Sequence, residues 1–573
     1  MVILFFIITA SFLVSVQTKE LVLPRMLINT EECTLNPCEV LKLMSQYFLI
    51  VHAASRPQQE KPDQEKAAPF VVEMSFEKRL RQAERRLQAV EQPVWKLREG
   101  VKAEWNHCTE GMCRCIPDTK SFICWNAHLK SIPSTQIIPM DIVNIDISGN
   151  QLETLHKDTF RGLTHLHELD LSNNKINFLP FDLLEDLDSL VQLRLQSNEL
   201  DELHPQIFFK LRNLNLLDIS KNSLVLLPNV IFHNNPKLTV INLSDNKLEE
   251  LDIGFFREQT ELEELDLSRN EIQRLKVDCF KNLLKLKILD LSKNQISNIS
   301  DNTFMDLVNL EILKLHNNKI VNISNYLFAN QTQLVFLDLT MNKISRIESH
   351  AFTSLTNVQE LLLGQNSLSS IPVGLFLKLE KLKRLMLFSN NLATLDSNSF
   401  IGLKNLKHLL LNNNILKNFA IDVFRPLQKL EKLRIDSNKL QSLPTGCLEH
   451  LPKLVAVKLE KNPWHCDCRA LYLARWLRAS PHKLWDGQAV CRGPGDLGGV
   501  DVGLLRYDDL CEGQWASMLS LSPRLPVRKN QIAQPKNFTD YVNLYLKHLI
   551  TTTSSTTESL FGETTTFRYF DES

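Results

Sequence analysis

The sequence predicts an α/β repeat solenoid: a curved horseshoe with a parallel sheet on its concave face and a disulfide-bonded cap at each end. Three observations carry that reading. A pattern of leucines and one asparagine recurs every 24 residues without an insertion. A phenylalanine recurs at a fixed offset inside the same period, and cysteine clusters at 108–124 and 466–511 bracket the periodic region.

The pattern is plain from Leu166, which opens L-x-x-L-x-L-x-x-N-x-L with Leu169, Leu171, Asn174 and Ile176. Asparagine stands at 150, 174, 198, 222, 246, 270, 294, 318, 342, 366, 390, 414, 438 and 462, which makes fourteen units. The period falls within the 20–29 residues of leucine-rich repeats. The L-x-L alternation reads as a short strand with its leucines turned inward. The asparagine follows where the chain turns, so its amide can satisfy backbone groups buried between neighbouring coils.

Ten residues past the asparagines stand Phe160, Phe208, Phe232, Phe256, Phe280, Phe304, Phe328, Phe352, Phe376, Phe400 and Phe424, with Leu184 and Leu448 as substitutes. These rings are expected to stack as a spine on the convex side. One unit cannot bury its apolar face alone, so each neighbour supplies the other half. With strands about 4.7 Å apart, fourteen units give an arc of roughly 60–65 Å.

A solenoid exposes core leucines at both ends unless something covers them. Before the repeats stand Cys108, Cys113, Cys115 and Cys124, and after them comes the run Asn462-Pro463-Trp464-His465-Cys466-Asp467-Cys468, followed by Trp476, Cys491 and Cys511. Sequence alone allows three connectivities for each four-cysteine cluster, and a zinc site is the competing reading of Cys466 and Cys468. The arrangement resembles the paired cysteine-rich flanking modules of extracellular leucine-rich-repeat proteins, a group that includes Slit, Toll ectodomains, the acid-labile subunit and the carboxypeptidase N regulatory subunit. The resemblance covers residues 108–511. It implies the pairings Cys108–Cys115, Cys113–Cys124, Cys466–Cys491 and Cys468–Cys511, with Trp464, Trp476 and a short helix plugging the carboxy-terminal end. Cys279 and Cys447 lie seven repeats apart, about 33 Å at the strand spacing, too far to bridge. Both are expected to be free and buried.

The chain of 573 residues carries 65 basic and 66 acidic residues, a formal charge of -1. That balance lacks the electrostatic footprint of a nucleic-acid binder. Residues 1–17 read as a signal peptide, too short to span a bilayer, and no later segment is apolar enough to do so. Twelve cysteines fit an oxidising compartment, so a secreted, extracellular chain without a membrane span is expected. Residues 18–106 form an amino-terminal extension, with a linker at 56–66 and Cys33 and Cys38 as a local pair. Within it Phe76, Leu80, Ala83, Leu87, Val90, Val94, Leu97 and Val101 keep a 4-3 spacing interrupted by Pro93. A short amphipathic helix against the cap is the expected form, and a coiled-coil seam the rival. The caps span 107–136 and 463–513, the repeats 137–462, and a Thr/Ser-rich disordered tail 514–573. Glycosylation sequons stand at Asn298, Asn322, Asn330 and Asn537.

No catalytic or metal constellation emerges, and no cofactor is implied. Gly493 to Gly498 fits G-x-G-x-x-G but lies in a cap without the strand–helix context a dinucleotide needs. His167-Glu168 begins a zinc motif whose second histidine is replaced by Leu171. The reading is therefore a binding scaffold, not an enzyme. Its partner is expected to be an extracellular protein in recognition, adhesion or innate defence. The alternatives are an inhibitor or carrier subunit of a secreted enzyme or hormone, and a matrix component binding collagen or a sulfated glycan.

The contact surface is sought among departures from the repeat. Between the last two strand leucines the chain places Asp146, Asp170, Arg194, Asp218, Asn242, Asp266, Asp290, Lys314 and Asp338, then Leu362, Met386 and Leu410, then Arg434 and Lys458. The three apolar residues are expected to form an exposed ridge, widened by Phe388. Lys383, Arg384, Lys407, His408, Lys432 and Arg434 supply a basic rim.

Overall fold

The computed structural model describes residues 68–98, 102–109 and 113–512. The signal segment, Cys33 and Cys38, the linker at 56–66, Val101, Asn537 and the tail lie outside them.

Fourteen three-residue strands, from Asn144–Asp146 to Ala456–Lys458, lie side by side in chain order. A hairpin of the amino-terminal cap, Arg114–Ile116 and Ser121–Ile123, adds two more, giving a 16-stranded sheet. The hairpin pair is antiparallel and every later pair is parallel and in register, so Leu313 faces Leu337 one repeat on. Alternation does the rest: Leu169 and Leu171 are wholly buried while Asp170 between them lies on the open face.

The asparagine ladder accounts for the buried backbone at each turn. Asn174 donates through Nδ2 to the carbonyls of Ile147, Leu171 and Ser172 at 3.0, 3.1 and 3.2 Å. Its Oδ1 accepts the Leu152 N–H at 3.1 Å, so one side chain ties two coils together. The same set recurs at Asn318 and Asn438. The residue before each of these asparagines adopts a left-handed backbone, at φ 53° for Asn173, 54° for Asn317 and 54° for Ser437. That conformation costs roughly 1 kcal/mol or more in a residue with a side chain, which the ladder bonds offset.

On the opposite side the phenylalanines stack. Ring centroids stand 6.2 Å apart for Phe208–Phe232 and Phe304–Phe328, and 6.5 Å for Phe400–Phe424. The spine begins before the repeats. Trp95, 4% exposed, stands 5.1 Å from Phe122 and 6.2 Å from Phe160.

Trp95 belongs to the amino-terminal extension, which forms a helix, Ala68–Val90, and a strand, Lys96–Arg98. The 4-3 stripe does not continue as one helix: the helix ends at Val90, and Val94 lies in irregular chain and Leu97 in a strand, because Pro93 disfavours a helical residue before it. The strand pairs in parallel with Ile137–Pro139. The helix is fastened to the third repeat by Arg85, whose two Nη atoms donate to the Asp201 carboxylate at 2.6 and 3.0 Å.

In the caps Cys108 is bonded to Cys115, Cys113 to Cys124, Cys466 to Cys491 and Cys468 to Cys511. Trp464 is buried, with its Nε1 donating to the Leu459 carbonyl at 3.2 Å, and the helix Leu471–Ala479 buries Leu473, Ala474 and Leu477. Trp476 is partly buried against the same core. Gly493 to Gly498 joins the strand Cys491–Gly493 to the single 3-10 turn Gly495–Leu497. Cys279 and Cys447 are free and buried, and burial pushes each thiol up to about 12.

Candidate binding surface on the concave face

The acidic column has a structural task. Asp170 accepts the Ser172 N–H at 2.9 Å, closing the end of its own strand. Asp146, Asp218, Asn242, Asp266, Asp290 and Asp338 make the same bond to the residue two positions on, at 2.8 to 3.0 Å. Leu362, Met386 and Leu410 have no oxygen to offer, so three successive repeats forgo a bond worth about 1 kcal/mol each. Burial raises the carboxyl pKa of Asp218 and Asp266 in the same column.

The ridge is lower than its sequence suggests. Leu362 and Met386 are half-buried, and Leu410 is 6% exposed. Short side chains on adjacent strands about 4.8 Å apart cover one another, so the surface is an apolar floor. Phe388 lies across the preceding coil: a Cβ on Gly364 would stand 2.4 Å from its ring. Glycine at 364 is what lets that ring lie down.

The basic rim is drawn into contacts within the protein. Burial, then the charges of Arg384 and Lys432, lower His408 to about 4, so the imidazole is neutral at physiological pH. Arg434 is only 7% exposed and holds Asp436 through two bonds of 3.0 and 2.9 Å. Arg384 donates to Glu360 at 2.8 Å, and Lys407 lies 2.9 Å from Glu431. Trp485, from the carboxy-terminal cap, sits 5.6 Å from the Lys432 ammonium and 5.8 Å from the Arg434 guanidinium. Its backbone N–H donates to the Val457 carbonyl at 2.9 Å, which anchors the indole at the sheet edge.

A second apolar column escaped the sequence reading. The first residue of the strands is Leu216, Val240, Glu264, Ile288, Ile312 and Phe336 in repeats four to nine, all half-buried on the concave side. Ile288, Ile312 and Phe336 are in register, as are Leu362, Met386 and Leu410. Phe336 faces Glu360 while Asp338 faces Leu362, so the two triplets meet on a diagonal. Diagonal neighbours lie about 7–8 Å apart, within reach of a phenylalanine. In the sequence these residues stand directly before the second leucine of each L-x-x-L, where an apolar residue looks like more core. Trp485 had no periodic signal at all.

These features define a disulfide-capped repeat solenoid with one open face of its sheet on the concave side. The chain is a leucine-rich-repeat protein with cysteine-rich flanks: a leucine rich repeat model matches residues 142–200, 188–248 and 260–320, and a BspA type leucine rich repeat region model matches 321–455. SLIT and NTRK-like protein 4 of Mus musculus is 39% identical over 66 residues, 12% of this chain and 8% of that protein. Osteomodulin of Bos taurus is 37% identical over 86 residues, 14% of this chain and 20% of that protein. The chain thus spans a small fraction of these relatives. Among solved structures, the Toll–Spatzle complex matches at TM-score 0.55 and 22% identity, covering 67% of this chain and 57% of that one, a likeness of fold alone. The TLR13–ssRNA13 complex matches at TM-score 0.53 and 28% identity, covering 62% and 52%. No helix among the described residues is long and apolar enough to cross a membrane.

Proposed function

We propose that the protein is a secreted, non-enzymatic scaffold that binds an extracellular protein on its concave face, across repeats seven to twelve. The observation that carries this reading is the diagonal stripe Ile288, Ile312, Phe336, Leu362, Met386 and Leu410. Three of these six residues replace the strand-closing aspartate at a cost in stability, and the stripe runs unbroken over six coils. A half-buried apolar floor on the open face of a sheet, where the other repeats place charge, is the kind of surface a protein partner covers. The solved Toll–Spatzle complex offers a precedent of a protein held by a fold of this kind. A sulfated glycan is the poorer partner, because Arg384, Lys407 and Arg434 already face carboxylates. The sequons at Asn298, Asn322 and Asn330 are exposed and lie outside the strands of the concave sheet, so glycans there would leave the stripe open.

The test is affinity capture from extracellular fluid with the full chain as bait, beside a Leu362→Asp, Met386→Asp variant. A stoichiometric protein partner lost by the variant at unchanged Tm is the expected result. Undiminished capture by a folded variant defeats the reading.

A further inference from the structure

From the spacing, length and charge of this stripe we infer the shape of what it takes: an amphipathic α-helix of about 17 residues, contributed by a partner protein and laid along the concave arc with its amino terminus over repeat seven. The inference rests on the concave-face reading above and adds the occupant's secondary structure and polarity.

The spacing comes first. Six apolar side chains, one per coil, make five steps of about 4.8 Å along the sheet and one sideways shift of two residues, about 6.7 Å, for a diagonal of roughly 25 Å. Four of the steps are about 4.8 Å and the diagonal one, from Phe336 to Leu362, about 8 Å, a mean advance of about 5.0 Å per coil, against about 5.4 Å per turn of an α-helix and about 6.7 Å between same-face side chains of an extended strand. A helix offers one apolar anchor per coil at i, i+3/i+4, i+7 and onward, whereas a strand drifts out of step within three coils. The stripe is also finite. Glu264 ends it before Ile288, and Trp485, over Lys432 and Arg434, ends it after Leu410. A run of roughly 25 Å at about 1.5 Å per residue accommodates about 17 helical residues.

Charge then fixes direction. Just before the stripe, repeat six places Glu264 and Asp266 on the open face of the sheet, beside Glu263, paired with Lys287 at 2.8 Å, and Asp245 of repeat five, paired with Arg269 at 3.6 Å. At its far end, repeats eleven and thirteen bring Lys383, bonded to the Gln359 side-chain oxygen, and Lys432, over Trp485, beside Arg384, Lys407 and Arg434, which face Glu360, Glu431 and Asp436. A helix carries partial positive charge at its amino terminus and partial negative charge at its carboxy terminus. Its amino terminus therefore belongs at the acidic end and its carboxy terminus at the basic end.

Two phage-displayed libraries of 18-residue peptides decide the matter, one patterned with apolar residues at the helical period and one alternating, both panned on the immobilised full chain. Enrichment from the helix-patterned library alone is expected. The selected peptides should lose about tenfold or more in affinity to Ile312→Asp and Met386→Asp, with a Ser substitution at either site used where Asp lowers Tm. A central proline should abolish binding, and exchanging the charges of the first and last turns should weaken it about three- to tenfold. Enrichment of alternating peptides that respond to the same substitutions overturns the helix while leaving the concave-face reading intact. Peptides indifferent to Ile312→Asp and Met386→Asp overturn that reading itself. Enrichment from neither library overturns the helix.

Discussion

The indole of Trp95 lies 6.2 Å from the ring of Phe160, so a residue of the amino-terminal extension begins the aromatic spine of the repeats. The extension is thereby part of the core. Trp95→Ala removes a side chain that is 4% exposed and should cost about 3–5 kcal/mol. Hydrogen exchange should show the loss confined to the strand Lys96–Arg98, the amino-terminal cap and the first repeats. Unchanged protection there would mean that the extension is an ornament.

The asparagine ladder predicts a second outcome. Asn318 donates to Leu291 and Leu315 at 2.9 and 3.1 Å and accepts from Ile296 at 3.0 Å. Asn318→Ala leaves these buried groups unpaired and should destabilise the central repeats by about 3 kcal/mol. Asn318→Asp keeps the acceptor and loses the donor, yet adds a buried charge, so it should be no milder. Denaturation of both variants, followed repeat by repeat through exchange, checks the ranking.

Gly364 and Phe388 form a coupled pair. Gly364→Ala forces the Phe388 ring away from the coil it covers and should cost about 1–2 kcal/mol, within the usual range of overpacking. Phe388→Ala should absorb most of that penalty, so a double-mutant cycle should show coupling of about 1 kcal/mol. Additive effects would place the ring elsewhere.

His408 gives the concave face a pH dependence. Its folded value of about 4 lies below the ordinary 6.5. Between those values the unfolded chain binds a proton that the folded chain refuses, so the contribution is complete above about pH 6.5 and lost as pH falls toward 4. The full shift corresponds to roughly 3 kcal/mol, and solvent screening of this partly exposed ring reduces it to about 1–2 kcal/mol. His408→Gln should flatten the fall in Tm between pH 6.5 and 4, and a parallel fall in both proteins would remove His408 as its source.

The repeat architecture was legible because each column answers one physical demand: Leu169 and Leu171 the core, Asn174 the turn, Phe160 the convex side. The site was only half legible. Leu362, Met386 and Leu410 stand out against aspartates, but the depth at which they sit depends on neighbours that a single column does not show. Ile288, Ile312 and Phe336 were hidden because apolar residues in a leucine-rich sequence look like more core. Trp485 and the bond from Arg85 to Asp201 join residues far apart in the chain, and periodicity carries no information about either.

The unbroken 24-residue beat has a consequence for how such a chain can change. A residue inserted within the L-x-L-x-x-N segment would move that coil's leucines and asparagine out of their columns and leave carbonyls orphaned, whereas one inserted on the convex side can bulge outward and leave the following coils in register. A whole coil added or removed meets no such obstacle, because its upper and lower surfaces are alike. The molecule is therefore intolerant of insertion along its concave edge and permissive toward whole coils, and its reach should grow or shrink in increments of about 4.8 Å while both lids stay as they are.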